Sequence, residues 1–197
     1  MPYPAERRER SRERILQSAK VLFNRHGFEE VSIDALMAHA GLTRGAFYNY
    51  FARKSDLYAA AIEVALQEAT IFRTGCSAAD VIRAYLSSEH LEGVDGGCPL
   101  CALPSYVARS DREVKLAFEA VFKKMVDLFE GRLPVAVRDK RERALAISAL
   151  CVGAMVVARA LDDRALGDAL RHAAVGLGLE VAKPPGREAQ SGRARKS

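Results

Sequence analysis

The sequence predicts an all-α fold for this chain of 197 residues. Apolar residues recur at helical spacing through almost all of residues 5–182, while the alternating patterns of strands and Asn-Gly hairpin turns are missing. Hydrophobic residues make up 49% of the chain, which is enough to bury a sizeable core. We therefore expect helices packed on helices, with glycine and proline at the breaks.

Positive charge is concentrated at the two ends of the chain. Residues 1–58 contain ten Lys/Arg against seven Asp/Glu, and residues 183–197 contain five against one, which gives +3 and +4. The remaining residues, 59–182, carry −2 of the net +5. A basic N-terminal segment is suited to a polyanionic partner. Residues 183–197 are rich in Gly and Pro as well as basic, so we expect a disordered basic tail.

The first helix ends at a recognisable signal. Its apolar stripe consists of Ile15, Leu16, Ala19, Leu22 and Phe23. Gly27 follows where a left-handed cap is needed, and Phe28 can fold back onto Phe23, the contact that accompanies a Schellman cap.

Two short helices follow, and each has its own start signal. Ser32 can cap a helix over Ile33–Ala40, with Val31 and Leu36 as a hydrophobic staple, and Gly41 ends it. Thr43 can cap a third helix at once, and Leu42 and Phe47 have the spacing of a second staple. Two short helices joined by a Gly-containing turn of about three residues predict a helix-turn-helix.

The third helix carries a dense group of aromatic residues. Phe47 and Phe51 are four residues apart and share a face, which we expect to point inward. Tyr48 and Tyr50 lie off that face, and a ring with a hydroxyl tip suits a phosphate contact at the edge of a groove. The alternative is that all four rings belong to the core.

A recognition helix presents its N-terminal residues to base edges in the major groove. Arg44 can pair with guanine, Ala46 can contact a thymine methyl group, and Gly45 permits close approach to DNA. Lys54 precedes Ser55, a candidate cap for a fourth helix, and is placed to hold a phosphate. The candidate DNA-binding residues are Thr43, Arg44, Gly45, Ala46, Tyr48, Asn49, Tyr50 and Lys54.

The run VSIDALMAHAGLTRGAFYNYFARKSDLYAAAI resembles the DNA-binding domain of TetR-family transcriptional repressors, over about residues 11–62. The resemblance implies a homodimer with a larger C-terminal domain that binds a small molecule and releases the DNA. It also implies phosphate contacts at Thr43, Tyr48 and Lys54, and base contacts around Arg44, Ala46 and Asn49. Tyr50 stands where many members of the family have His.

The fold class predicted is therefore all-α, with a three-helix helix-turn-helix DNA-binding domain joined to a larger helical ligand-binding and dimerisation domain. The predicted domains are 5–55 and 56–182, followed by the tail 183–197. The segment GGCPLCALPSYVARSDREVKLAF is similar to a branch of the family whose ligand domains carry a Gly-Cys-Pro-Leu turn into a helix.

We expect the body of the chain to contain an apolar pocket and a dimer interface. A helix over Asp111–Glu130 carries an apolar stripe that is either ordinary core or part of a pocket for a small apolar or aromatic effector. The candidate pocket residues are Tyr85, Cys101, Tyr106, Phe118, Phe122, Met125, Cys151 and Met155. Helices over about 143–161 and 165–181 are rich in small and apolar residues, which indicates either a buried core position or a dimer interface. The resemblance implies that these two helices form the interface of a homodimer.

Cys98 lies at a predicted helix N-terminus with Cys101 one turn on, which favours a reactive thiol pair. Structural thiols, a redox or electrophile sensor, and a thiol enzyme all stay open. No paired carboxylates, triad spacing or phosphate-binding Gly loop indicates catalysis, and we expect no metal or cofactor.

The apolar run 144–158 is shorter than the roughly 20 residues that cross a bilayer, so we expect a cytoplasmic protein and no membrane partner. The leading hypothesis is a repressor that binds a palindromic operator in double-stranded DNA and is released by its effector.

Overall fold

The computed structural model of the protein describes residues 5–68, 76–93, 99–102 and 104–184. Every regular element in these ranges is a helix, which confirms the predicted all-α fold. In chain order the α-helices are α1 Ala5–His26, α2 Ile33–His39, α3 Lys54–Glu68, α4 Ala78–Tyr85, α5 Ser88–Glu92, α6 Pro99–Ala102, α7 Pro104–Val107, α8 Arg112–Arg132, α9 Lys140–Ala160 and α10 Arg164–Ala182. A 3-10 helix, Arg44–Asn49, lies between α2 and α3. Cys98 and residues 185–197 of the predicted tail lie outside the described residues.

Packing groups the chain into two compact units. The first contains the chain up to Thr70 together with Glu89–Lys123, and the second contains Ile71–Ser88 together with the chain from Lys124 onward. This grouping reflects packing alone, so the functional boundaries at residues 55 and 182 stay predictions.

In the first unit, α1 packs against α2 and α3. Ile15, Ala19 and Phe23 of the α1 stripe are almost completely buried, as the helical spacing predicts, while Leu22 is only half-buried. Gly27 has a φ of +79°, and its N–H donates to the Phe23 carbonyl over 3.0 Å. The predicted left-handed cap is thereby confirmed, and Phe28 folds back onto Phe23 with 5.3 Å between ring centroids.

In the second unit, α9 and α10 pack against each other and both contact α4. The face of α10 that is buried within the chain consists of Gly167, Arg171, Ala174, Gly178 and Ala182. Because a Cβ on Gly178 would come within 3.3 Å of the Ile82 side chain, the glycine permits α4 to approach closely. The apolar residues Leu166 and Leu177 lie on the other side of α10 and are exposed, at 53% and 56%.

A buried arginine joins α10 to the end of α4. Arg171 is 5% exposed, and its guanidinium donates to the Leu86 carbonyl over 2.6 Å and to the Ser88 hydroxyl over 3.1 Å. It also forms an ion pair with Asp168 one turn earlier. A charge can be buried when it is paired and hydrogen-bonded in this way. The apolar pattern of residues 165–181 gave no sign of it.

Of the helices in the described residues, one is long and apolar enough to cross a membrane. It is α9, which has a mean hydropathy of 1.6. In the 18-residue stretch of α9 that gives this mean hydropathy, 39% of the residues are buried within this chain. Its two ends carry charged residues, including Arg141 and Glu142 at the start and Arg159 at the end. A helix of a protein core passes the same test of length and composition.

Candidate nucleic-acid interface

Two phenylalanines hold the recognition segment, which we define as Arg44–Asn49, against the rest of the first unit. Phe47 is completely buried and Phe51 is 6% exposed, with 6.0 Å between their ring centroids. Both predicted core positions are therefore confirmed. Full burial of a phenylalanine stabilises a fold by about 1.5–3 kcal/mol relative to leaving it exposed, so these two rings are the main anchors of the segment.

The turn between α2 and the recognition segment is fixed by main-chain hydrogen bonds. Gly41 has a φ of +65°, its N–H donates to the Ala38 carbonyl over 2.9 Å, and the Leu42 N–H donates to the Met37 carbonyl over 2.8 Å. These are the two hydrogen bonds of a Schellman motif. The positive φ is what favours glycine at position 41, since a Cβ there would meet only the movable guanidinium end of Arg14.

The start of α2 matches the sequence prediction, but the start of the recognition segment does not. The Ser32 hydroxyl accepts from the Ala35 N–H over 3.1 Å, which confirms Ser32 as the cap. Thr43 occupies the corresponding position before Arg44, but its side chain makes no capping hydrogen bond. Instead, the Thr43 carbonyl accepts from the Ala46 N–H over 3.0 Å, because the segment is a 3-10 helix whose first turn closes through the main chain. The side-chain cap predicted at Thr43 is therefore wrong.

The two tyrosines differ in their exposure. Tyr48 is 59% exposed and stands edge-on to Phe47 with 5.3 Å between ring centroids, so its hydroxyl end is available to a partner. The interpretation of all four rings as core is therefore wrong for Tyr48. Tyr50 is only partly exposed and ends the segment, where its N–H donates to the Phe47 carbonyl over 2.9 Å.

Arg44, the predicted reader of guanine, is held by a carboxylate. Its guanidinium lies 2.6 Å from Asp34 of α2, and both side chains are largely exposed, at 62% and 58%. Exposed ion pairs of this kind contribute about 0–1 kcal/mol, so a guanine edge can compete for the arginine at little cost. The ion pair joins the first residue of the recognition segment to α2, and the role of Arg44 in DNA binding stays a prediction.

The other residues of the segment form an open surface. Gly45 and Asn49 are exposed, and Ala46 is half-buried. A Cβ added at Gly45 would meet nothing within 4 Å, so the packing of the protein itself does not require glycine there. Close approach by a partner stays the predicted reason for Gly45.

The start of α3 corrects a second predicted cap. The helix begins at Lys54, so Ser55 lies inside it and is buried rather than capping it. The cap is Arg53, whose carbonyl accepts from the Leu57 N–H over 3.3 Å and whose N–H donates to the Asp56 carboxylate over 3.0 Å. Asp56 thus satisfies a main-chain donor at the helix start and also pairs with the Arg53 side chain at 2.7 Å.

Lys54 is held by contacts that its place in the sequence did not reveal. Its ammonium lies 4.1 Å from the centroid of the Phe28 ring and donates to the Glu29 carbonyl over 3.4 Å. Partial burial lowers the pKa of Lys54, which the nearby Glu29 and Glu30 carboxylates oppose. The cation–π contact fixes this cation at the first turn of α3.

Behind Lys54 lies an aromatic cluster, which we define as Phe23, Phe28, Tyr58 and Tyr106. Tyr106 of α7 stacks on Phe28 with 4.2 Å between ring centroids and meets Tyr58 edge-on at 5.7 Å. The Tyr58 hydroxyl is buried and has no hydrogen-bond partner among the described residues, and burial raises the pKa of Tyr58. No local pattern could have predicted a contact between residues as far apart as 28 and 106.

An ion cluster lies beside the same region of the first unit. Arg53, already paired with Asp56, also lies 3.5 Å from Asp111 and 3.8 Å from Glu113, near the start of α8. The side chains of Arg53, Asp111 and Glu113 are each more than half exposed, so the two pairs that Arg53 forms with α8 and the residue before it contribute little individually. The start of α3 is thus linked to residues 106–113 by both aromatic and ionic contacts.

The predicted pocket residues fall into both units. Cys101, Tyr106, Phe118 and Phe122 belong to the first unit, and Tyr85, Met125, Cys151 and Met155 belong to the second. In the second unit all four are at most 2% exposed. In the first unit Phe118 and Phe122 are half-buried, and Tyr106 belongs to the aromatic cluster. A shared ligand pocket stays a prediction.

The cysteines that the structure describes differ in their surroundings. Cys76 is exposed, whereas Cys101 and Cys151 are buried, and none of the three forms a disulfide. Burial raises the pKa of Cys151 to about 12, so this thiol stays protonated at neutral pH. Cys98 is outside the described residues, and a reactive pair with Cys101 stays a prediction. In the described ranges, no group of three or more His, Cys, Asp or Glu residues is placed to hold a metal ion.

The geometry defines a helix-turn-helix protein whose recognition segment rests on buried aromatic rings and presents polar and cationic side chains. Residues 15–61 match the sequence profile of the bacterial regulatory proteins of the tetR family. Over 63 residues the chain is 32% identical to the uncharacterized HTH-type transcriptional regulator YfiR of Bacillus subtilis. That match covers 32% of this chain and 31% of the relative, so the chain matches about a third of the relative's length.

Solved structures extend the likeness to the whole fold. The reduced form of NemR from E. coli matches with a TM-score of 0.72 at 19% identity, over 89% of this chain and 98% of that one. FadR from Bacillus subtilis, solved in complex with stearoyl-CoA, matches with a TM-score of 0.66 at 16% identity, over 86% and 98% of the two chains. At these identities the likeness shows the fold: an N-terminal helix-turn-helix domain followed by a helical C-terminal domain.

Taken together, residues 15–61 are similar to the bacterial regulatory proteins of the tetR family, and the chain shares the fold of the solved structures. YfiR and FadR are both described as transcriptional regulators. The Gly-Cys-Pro-Leu branch suggested by the sequence stays a prediction, because Cys98 lies outside the described residues.

Proposed function

We propose that the protein is a ligand-responsive, cytoplasmic transcriptional repressor that binds a palindromic operator as a homodimer and is released by a small apolar or aromatic effector. The observation that carries the proposal is the construction of the recognition segment. Phe47 and Phe51 bury its inner side, and the Gly41 turn fixes its direction. Arg44, Tyr48 and Asn49 remain on its exposed side.

The proposed contacts with DNA divide by their chemistry. Arg44 leaves Asp34 to donate two hydrogen bonds to a guanine edge, with Ala46 and Asn49 reading neighbouring bases. Thr43, Tyr48 and Lys54 contact phosphates, and Tyr50 lies at the margin of the surface. Lys54 is suited to this role because the Phe28 ring and the Glu29 carbonyl fix its ammonium without neutralising it.

Support for a homodimer comes from an exposed apolar face on α9 and α10, which we define as Leu145, Val157, Leu166 and Leu177. Each of these side chains is at least 42% exposed in the single chain. Along α9, Leu145, Ala149, Gly153 and Val157 follow one another at intervals of four residues, so they share a stripe, and the small residues among them permit a second helix to approach. A second copy covers the face isologously and presents two recognition segments to a palindrome.

Release by an effector requires that ligand binding favour a conformation that fits DNA poorly. In our proposal, α3 shifts and alters the separation of the two recognition segments. The contacts that support this route are the edge-on contact of Tyr106 with Tyr58 of α3 and the ion pairs of Arg53 with Asp111 and Glu113. They link the start of α3 to a part of the chain predicted to contribute to the ligand domain. A coupling of about 1–3 kcal/mol is typical of such regulators.

An apolar effector is favoured by the buried side chains at the predicted pocket positions and by the neighbouring FadR, which was solved with stearoyl-CoA. A second candidate is release by oxidation or by an electrophile at Cys98 and Cys101. The neighbouring NemR, solved as a reduced form, gives this candidate some support. Cys101 is only 5% exposed, however, so a reagent would need the surrounding structure to open.

The proposal is tested by selecting sequences from a random pool of duplex DNA with the reduced protein at fixed salt. We expect a palindromic consensus, and recovery of no preferred sequence by a folded dimer would contradict the proposal. Repeating the selection with oxidised protein separates the two signals. Loss of binding on oxidation favours the cysteines, and unchanged binding favours an apolar effector. A thiol enzyme would instead show thiol–disulfide turnover in the purified protein.

A further inference from the structure

The N-terminal half of α1 brings arginine side chains to the helix-turn-helix. Residues 5–14 contain five arginines, among which Arg8, Arg12 and Arg14 contact residues of the helix-turn-helix region. Arg8 donates to the main-chain carbonyl of Asn49 over 3.2 Å, and the Arg12 guanidinium carbon lies 5.6 Å from the centroid of the Phe51 ring. The Arg14 guanidinium lies against Gly41. The arginines therefore reach the turn, the buried anchor and the end of the recognition segment.

Arg8 is the arginine of this group best placed to meet DNA. It is exposed, and the residue that it contacts, Asn49, is the last of the recognition segment and is itself exposed. A guanidinium has five N–H donors, and a hydrogen bond to a neutral carbonyl leaves its charge intact. This contrasts with Arg44, whose charge is opposed by Asp34 at 2.6 Å.

We propose that Arg8 binds a backbone phosphate of double-stranded DNA beside the groove that the recognition segment enters. The proposal rests on the proposed function and adds a contact outside the helix-turn-helix. The major groove is about 12 Å wide and is bordered by phosphates, so a cation at the end of a segment lying in the groove comes to its border. The Asn49 carbonyl holds the guanidinium there before DNA arrives. A contact of this kind adds affinity without reading sequence.

Arg10 provides a matched control on the same helix. It is also an exposed arginine, but it lies two residues from Arg8 and so points about 200° away around the helix. Replacing either residue by alanine removes the same charge from the same helix. Long-range attraction would fall similarly in both variants, whereas direct binding to a phosphate would disappear only in R8A.

The experiment measures the affinity of the full-length protein for its selected duplex and for a duplex of unrelated sequence, across a series of salt concentrations. For R8A we expect a loss of about tenfold at low salt on both duplexes. The slope of log affinity against log salt should fall by about 0.9 for each phosphate that the protein no longer neutralises, or about 1.8 for a dimer. R10A should change the slope much less, and R8K should keep it close to that of the wild type. The preferred sequence should be unchanged in all three variants.

Several outcomes would overturn the proposal. Equal losses in R8A and R10A would mean attraction at a distance only. A changed base preference in R8A with an unchanged salt slope would mean that Arg8 orients Asn49 rather than binding phosphate. Wild-type slope and affinity in R8A would exclude the contact altogether. If the wild-type protein bound neither duplex, the proposed function itself would fail, and thermal unfolding of each variant verifies that the fold is intact.

Discussion

The recognition segment and the last two helices both expose side chains to solvent, but the chemistry of what they expose differs. The recognition segment places Phe47 inside and leaves Arg44 and Tyr48 outside. Helix α10 buries small residues and an arginine within the chain, and both α9 and α10 expose leucine or valine. An exposed polar and cationic surface is suited to a polyanion, and an exposed apolar one is suited to another protein surface.

This difference corrects a simple use of hydrophobic periodicity. In the segment 165–181 the apolar residues were expected to mark a buried helix or an interface. The face actually buried within the chain contains Gly167, Arg171 and Gly178, while Leu166 and Leu177 are exposed. An apolar stripe therefore indicates a surface that needs covering, and the cover can come from another chain. In α9, 39% of the residues in its most apolar 18-residue stretch are buried within this chain.

The largest effect is expected from breaking the inner side of the recognition segment. Phe47→Ala removes a completely buried ring, and such truncations cost about 3–5 kcal/mol in the free energy of unfolding. Tyr48→Ala, one residue away and 59% exposed, should change stability by only about 0.5 kcal/mol. Urea unfolding at fixed protein concentration checks both variants. Similar losses of stability in the two would mean that the inner and outer sides were wrongly assigned.

The next largest effect is expected from placing a charge on the exposed apolar face of α9 and α10. Leu177→Glu places a charge where a second copy is proposed to pack, so we expect monomers and a loss of operator affinity of about a hundredfold, since the two half-sites are no longer bound together. Leu116→Glu is the matched control, because Leu116 of α8 is 51% exposed against 56% for Leu177. Analytical ultracentrifugation measures the oligomeric state. A dimer that survives L177E would place the interface elsewhere.

A smaller effect is expected from variants on the exposed side of the recognition segment. Arg44→Ala should cost about 1–3 kcal/mol of binding to the preferred site and relax the preference at one base position. Asp34→Asn frees Arg44 from its ion pair and removes a negative charge from the surface, so binding should tighten by up to about 1 kcal/mol. The double variant completes a thermodynamic cycle by DNA titration. If D34N has the same effect with and without Arg44, the ion pair does not restrain this arginine.

The smallest effect concerns the thiols. The pKa of Cys151 is raised to about 12 by burial, so at pH 8 a thiol reagent should label Cys76 and leave Cys151 unmodified until the protein unfolds. The ordinary value of 9.0 applies in the unfolded chain. The stability contributed by keeping this thiol neutral is therefore complete below about pH 9 and is lost as the pH rises toward 12. Peptide mapping by mass spectrometry, with Cys76→Ser as the control, assigns each modification. Rapid labelling of Cys151 in the folded protein would contradict its burial.

Much of the N-terminal module could be predicted from sequence because its signals are local. The caps at Gly27, Ser32 and Gly41 and the pair Phe47 and Phe51 each depend on residues within a few positions of one another. The predicted caps at Thr43 and Ser55 were wrong because a 3-10 turn and the Asp56 carboxylate compete for the same main-chain groups. Local signals could not distinguish these alternatives.

The contacts that complete the candidate site are not local. Arg8 with Asn49, Lys54 with Phe28, and Tyr106 with Phe28 join residues that are 26 or more positions apart in the numbering and follow no periodic pattern. They depend on how α1, α3 and α7 pack in the first unit. The ligand pocket could not be deduced from the sequence either. An apolar stripe such as that of α8 has the same residue pattern whether it faces the protein core or a ligand.

In the proposed complex, the recognition segment Arg44–Asn49 lies in the major groove of a palindromic site. Methylation of guanine N7 on the selected duplex tests this directly, because N7 is exposed only in that groove. We expect interference with binding at guanines in two clusters, related by the two-fold axis and about one helical turn apart, and loss of one symmetric pair of these positions in R44A. Interference restricted to adenine N3 in the minor groove, or identical patterns for wild type and R44A, would contradict the claim.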